Sequence, residues 1–162
     1  MRPRSEKPRV RLGAGLTVIS PDGKLLLVRQ EYDGRRTWGM IGGAMEAGES
    51  IEECAVREAH EETGLYVRLL RLTEVTQFWR GDHFESVGFV FLATPEPWPQ
   101  TVRLPAYDGA TRFLDYRWLS KEETAALPDS EREQHELLYS RWPLEVEETV
   151  VRTLRVAADE RS

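Results

Sequence analysis

Short apolar runs of β-branched and aliphatic residues, punctuated by glycine, proline and aspartate, fill most of the chain as far as Leu119. Gly15 to Ile19 and Leu25 to Val28 flank Ser20-Pro21-Asp22-Gly23, a turn sequence, and together predict a hairpin. A glycine-rich loop follows, from Gly34 to Gly48. Ser50-x-x-Glu53 is a capping box and Gly64 a left-handed stop, so a helix is predicted over about residues 51–62. Strands are predicted over 66–72, 74–79 and 84–94, with Gly81-Asp82 as a turn, and again over 113–119. Pro95, Pro97 and Pro99 break the sheet between them. Ser120-x-x-Glu123 repeats the capping box and opens a short helix ending near Leu127. From Ser130 the spacing reads as helical, with a break at Pro143 and a last helix over about 144–157. Strands mixed with separate helices predict an α+β layered domain, not a doubly wound parallel sheet.

The helix over 51–62 has an unusual face. Ile51, Cys54 and Ala55 form an apolar stripe, and its continuation reaches Glu58, Glu61 and Glu62 before returning to Leu65. Carboxylates this close repel by about 3 kcal/mol per pair at an effective dielectric of 20. Partial burial adds a desolvation cost. A hard divalent cation, which prefers carboxylate oxygen, would offset both. A solvated acidic face is the ordinary alternative, but these acids extend the apolar stripe instead of opposing it.

Charge narrows the partners. The 162 residues carry 22 Lys and Arg against 28 Asp and Glu, a net charge of −6. That argues against tracking long nucleic acid, which needs a basic stripe. It leaves room for a small phosphorylated ligand held through a metal. Cys54 is the sole cysteine, which excludes an intrachain disulfide and gives no sign of secretion. The basic stretch over residues 1–9 reads as a flexible tail without an apolar leader, and no apolar run is long enough to span a bilayer. A cytoplasmic protein is the expectation.

Gly43, Glu49, Arg57, Glu58, Glu61, Glu62 and Gly64 stand in the pattern G-x5-E-x7-R-E-U-x-E-E-x-G-U, with Leu65 closing it. The chain therefore resembles the Nudix hydrolases, whose signature this is, over residues 43–65. All seven fixed positions match, by chance about once in 10⁸ starting positions. Ala59 is small for the aliphatic position. The likeness extends to Leu25–Arg29, to the lead-in Trp38–Gly43, and to Tyr116–Leu119. The resemblance implies an α/β/α sandwich with a mixed central sheet, a Nudix helix over about 51–62 and extra C-terminal helices. It divides the chain into a tail (1–9), a Nudix domain (10–128) and a helical extension (129–162) packed on that domain. Apolar positions from Leu137 to Leu154 in the extension cap the domain, or form a homodimer contact.

The resemblance also implies a reaction: water attacks a phosphorus of a nucleoside diphosphate derivative, assisted by Mg²⁺, with Mn²⁺ as the alternative ion. By matching positions, Glu58 and Glu62 are the principal metal carboxylates and Glu61 a further ligand or base. Gly42 and Gly43 let main-chain carbonyls approach the metal, because no Cβ intervenes. Arg57 is either a phosphate binder or the structural partner of Glu49; Glu46 reads equally as a surface residue. Ile41 stands where the family usually has proline before the paired glycines. Many members add a late-loop acid; here the segment offers Asp108, with Asp115 and Glu85 as other candidates and Arg112 where glutamate is common. Arg29, Arg36, Phe78 and Asp108 are candidate substrate contacts, alongside Arg35, Arg80, Trp79 and Tyr107. His60 and His83 read as surface residues. The leading substrates are a nucleoside triphosphate, ADP-ribose or a nucleotide sugar. A 5′-terminal RNA diphosphate and a non-hydrolysing nucleotide sensor are the alternatives.

Overall fold

The computed structural model describes residues 7–158. Two sheets carry the fold. The first has five strands: β1 (Arg11–Val18), β4 (Ile41–Ala44), β5 (Val67–Arg80), β6 (His83–Pro95) and β9 (Val150–Val156), in the order β4-β1-β6-β5-β9. It is mixed, with β1 parallel to β6, β5 parallel to β9 and the other pairs antiparallel. The second has four: β2 (Leu25–Tyr32), β3 (Arg35–Gly39), β7 (Tyr107–Asp108) and β8 (Thr111–Leu119), in the order β3-β2-β8-β7. One long helix, α1 (Ile51–Thr63), and one short one, α2 (Lys121–Ala125), complete the α+β sandwich.

The turn at Ser20–Gly23 forms, but it joins the two sheets instead of closing a hairpin. A single bridge, Ile19 to Leu25, links its arms before β1 and β2 enter different layers. Leu25, Leu26, Leu27 and Val28 are all buried, so β2 needs apolar cover on both faces and finds it between layers. The glycine-rich stretch contains β3 and β4 and is not one loop. The strands expected over 66–72 and 74–79 are one strand, β5, with register shifts between Leu69 and Arg71 and between Leu72 and Glu74. Such bulges let one strand turn its side chains without ending.

The helical reading after Ser130 is corrected. Three short 3-10 turns (Asp129–Glu131, Leu137–Tyr139, Pro143–Glu145) lead into β9, a strand, where a helix over 144–157 was expected. Val150, Arg152, Leu154 and Val156 are half-buried and alternate with exposed Val151, Thr153 and Arg155. That period of two, with β-branched residues, outweighs the apolar spacing that had suggested a helix. Residues 7–9 of the expected tail are exposed and without regular structure, and the remainder of that tail lies outside the described residues.

Two apolar clusters flank the sheets. Leu16, Val28, Ile41, Cys54, Ala59, Leu65 and Phe91 pack beneath α1. Leu25, Leu27, Trp38, Leu92, Leu119 and Leu138 pack on the other side, under the C-terminal segment. Cys54 and Ala55 in the first cluster belong to the predicted stripe, and Ala59 adds to it.

Candidate metal and catalytic site

Helix α1 begins and ends as its sequence demands. The Ser50 hydroxyl accepts from the Glu53 amide while the Glu53 side chain accepts from the Ser50 amide. Gly64 closes the helix at φ 72°, its amide donating to the His60 carbonyl. The rod is thus fixed at both ends, and its buried face carries Cys54, Ala55, Glu58, Ala59 and Glu62.

Glu58 and Glu62 are 5% and 4% exposed. Asp108, exposed on the β7–β8 hairpin, reaches over to them, and one carboxylate oxygen from each of the three lies within 4.8 Å of the others. Burial raises the Glu58 carboxyl against the pull of Arg57. Burial, with the charges of Glu58 and Asp108, pushes Glu62 up to about 8, although the Gly42 amide donates to its Oε2 at 3.1 Å. Glu58 Oε2 is buried with no hydrogen-bond partner among the described residues. A Cβ on Gly43 would collide with the Glu58 carboxylate, so glycine is required for this acid to lie against the strand.

Arg57 is the hub beside the cluster. Its Nε and Nη2 clasp Glu49 at 2.9 and 2.7 Å, and Nη1 donates to Glu58 at 2.9 Å and Glu61 at 3.1 Å. Nη2 also donates to the Ala44 carbonyl at 3.0 Å, and Glu46 stands 3.7 Å away. The guanidinium holds Glu49 at about 2. This geometry ties the loop over 44–49 to the helix.

Glu61 and the paired glycines differ from the expected arrangement. The Glu61 side chain is 53% exposed and lies outside the three-carboxylate cluster. At 100° per residue it sits a quarter-turn and more round from Glu62, on the flank of the stripe. Gly43 turns its carbonyl to the Cys54 thiol at 3.7 Å, and Gly42 offers its amide to Glu62. Burial pushes that thiol up to about 11.

The remaining candidates are dispersed. Arg36 is paired with Glu31 at 2.5 Å, and Arg112 lies 3.8 Å from the same carboxylate. Arg29 and Arg117 lie over the Trp38 ring at 6.0 and 5.0 Å. Asp115 faces Arg117, and Glu85 faces Arg11 and Arg80. His60 stacks on Tyr66 at 4.6 Å. Phe78 alone of these lines a cavity of about 440 Å³ on the far face of the five-stranded sheet.

That cavity meets the acid cluster at Gly42 and Gly43, which belong to its wall. Its other side carries Glu74, Glu133 and Glu136, which sequence reading did not single out. They come from β5 and from the segment after α2, so no local spacing joins them. The signal available was Gly15 at the start of one predicted strand, with Gly13 just before it, and Gly88 on another, which leave little side chain on one face of a sheet.

Residues 9–141 match the NUDIX domain family model. The chain belongs to the NUDIX domain family. The Nudix chain is 31% identical over 117 residues to phosphatase NudJ of Escherichia coli K12, spanning 72% of this chain and 71% of that one. It is 35% identical over 100 residues to the octanoyltransferase of Myxococcus xanthus, covering 59% of this chain but only 27% of that protein. A NUDIX hydrolase structure from Nitrosomonas europaea superposes with a TM-score of 0.71 at 17% identity, covering 93% of this chain and 82% of that one. The Nudix chain is a hydrolase of pyrophosphate bonds.

Proposed function

We propose that this Nudix hydrolase cleaves the diphosphate linkage of a nucleoside diphosphate derivative in a Mg²⁺-dependent reaction, with Mn²⁺ as an alternative ion. The carrying observation is the convergence of Glu58, Glu62 and Asp108 within 4.8 Å. At that separation each ionised pair repels by about 3 kcal/mol at an effective dielectric of 20.

The donor set fits a hard divalent ion. It is all carboxylate oxygen, and it includes the buried, unpartnered Glu58 Oε2. When bound, the ion polarises phosphoryl oxygen and lowers the pKa of its water. Glu58 and Glu62 supply ligand oxygens from a rigid helix, one turn apart, and Asp108 supplies a third from the hairpin. The Gly42 amide orients Glu62, and Arg57 orients Glu58 while bracing the loop through Glu49. Glu61 stands on the exposed flank of the helix, where Arg57 holds its carboxylate at 3.1 Å. A nucleoside triphosphate, ADP-ribose or a nucleotide sugar presents the charge this ion-filled site would hold. The likeness to a phosphatase, NudJ, supports phosphorus chemistry. No helix among the described residues is long and apolar enough to cross a membrane.

The test is product-identified hydrolysis of a panel of these derivatives with Mg²⁺ and with Mn²⁺. Metal-dependent release of a nucleoside monophosphate is expected. Turnover that survives chelation overturns the reading.

A further inference from the structure

Strand β8 has an uncovered edge. β7 pairs with it only at Thr111 and Arg112, and just beyond them the Phe113 amide donates to the Ala106 carbonyl at 3.0 Å. From Asp115 to Leu119 the strand is paired with β2 alone. The direction of its backbone there follows from its neighbours. The Trp38 carbonyl accepts from the Glu133 amide at 3.2 Å, so Trp38 turns its polar groups away from β2. Arg29, opposite Trp38, therefore turns its own toward Asp115. Alternation then points the backbone groups of Tyr116 and Trp118 out of the sheet. The Tyr116 amide agrees, since it donates at 2.8 Å to the carboxylate of its neighbour Asp115.

Such an edge is a template for another strand. An open groove of about 760 Å³ runs along it, with β8 from Asp115 to Leu119 on one side and Glu123, Ala126 and Leu127 on the other. Asp115, Tyr116 and Arg117 are exposed in succession. The Asp115 and Arg117 side chains are 51% and 56% exposed and share one face of the strand, 3.9 Å apart. Arg117 is steadied there over the Trp38 ring. Acid, aromatic and base in that order are complementary to their own reverse. The strand that answers this edge is therefore the edge itself, running the other way.

We propose that two copies of this chain join along β8, pairing antiparallel about Tyr116. Tyr116 then faces its counterpart as a hydrogen-bonded pair, each amide donating to the other carbonyl. On either side Asp115 of one copy stands opposite Arg117 of the other, in the closer non-hydrogen-bonded positions, which gives one ion pair in each direction. The two Tyr116 rings meet on the opposite face. The register is specified by charge. Moving the centre one residue either way sets Arg117 against Arg117 or Asp115 against Asp115. β9, at the end of the other sheet, has no such match, because its exposed Val151, Thr153 and Arg155 include no acid. The proposal stands apart from the hydrolase reading, since none of these residues belongs to the acid cluster.

The experiment is sedimentation equilibrium of the full chain over a range of concentrations. The pairing is short, so the expected result is a monomer–dimer equilibrium with Kd in the micromolar range. Asp115→Arg sets like charges opposite each other twice and should weaken the dimer by at least about tenfold while melting as the parent does. Asp115→Arg combined with Arg117→Asp restores the complementary order in reverse and should return Kd to within about threefold of the parent. Val151→Lys, on the edge of β9, should leave the dimer unchanged. A chain still monomeric at about 1 mM overturns the proposal. So does a dimer untouched by Asp115→Arg, one that the double variant fails to restore, or one lost in Val151→Lys, which would assign the contact to β9.

Discussion

Two groups of three carboxylates lie on opposite sides of the strand that contains Gly42, and they are built differently. Glu58, Glu62 and Asp108 face one another, and one oxygen of Glu58 has no partner among the described residues. Glu74, Glu133 and Glu136 face a cavity and are each backed by a donor from the protein. The first arrangement, compensated only in part by Arg57, suits the cation proposed above. The second arrangement already finds its hydrogen-bond partners within the protein. The same residue types therefore serve different chemistry, and only their arrangement tells them apart.

That contrast can be broken by substitution. Glu62→Gln replaces a buried carboxylate of the first group with a neutral amide and should lower kcat by at least about a hundredfold, with unfolding unchanged or shifted upward, measured by product release and thermal melts. The same assay should show a smaller loss for Asp108→Asn, about tenfold, because this acid is exposed and its amide oxygen still coordinates. Arg57→Ala tests the brace: it strips the paired bonds to Glu49 and leaves Glu58 less compensated, so denaturant unfolding should lose about 2–3 kcal/mol. If Arg57→Ala instead abolished turnover at full stability, a phosphate-binding role would replace the structural one.

The mildest expected effect is on pH. Native Glu62 and Glu136 hold their protons up to about pH 8, because burial disfavours their charge. Unfolded, they release them near the ordinary value of 4.5. The native state therefore binds more protons across this window, and stability of the metal-free protein should fall as pH rises through it. Saturating Mg²⁺ should flatten the part of the slope due to Glu62 and leave that due to Glu136. A melting temperature in chelator that stays level between pH 5 and 8 would contradict both assignments.

The first group was largely legible in the sequence and the second was not. Glu58 and Glu62 share a helix, so a wheel places them together, and the capping box and Gly64 mark where that helix runs. Glu61 shows the limit of the wheel. An i, i+3, i+4 stripe is wide, and its flank is exposed where its centre is buried. Asp108 could be named only as one acid among several, since its hairpin acquires a position only when β8 pairs with β2. Glu74 and Glu136 are brought together by β5 and by the path of the C-terminal segment, whose end was read as helix and is strand. Non-local pairing leaves no periodic trace to follow.

The stretch from Met40 to Gly42 holds both groups by alternate amides, one to Glu136 and one to Glu62. Two residues of extended chain span about 6.6 Å. That segment is accordingly a ruler. A single inserted residue there would put both carboxylates out of step at once.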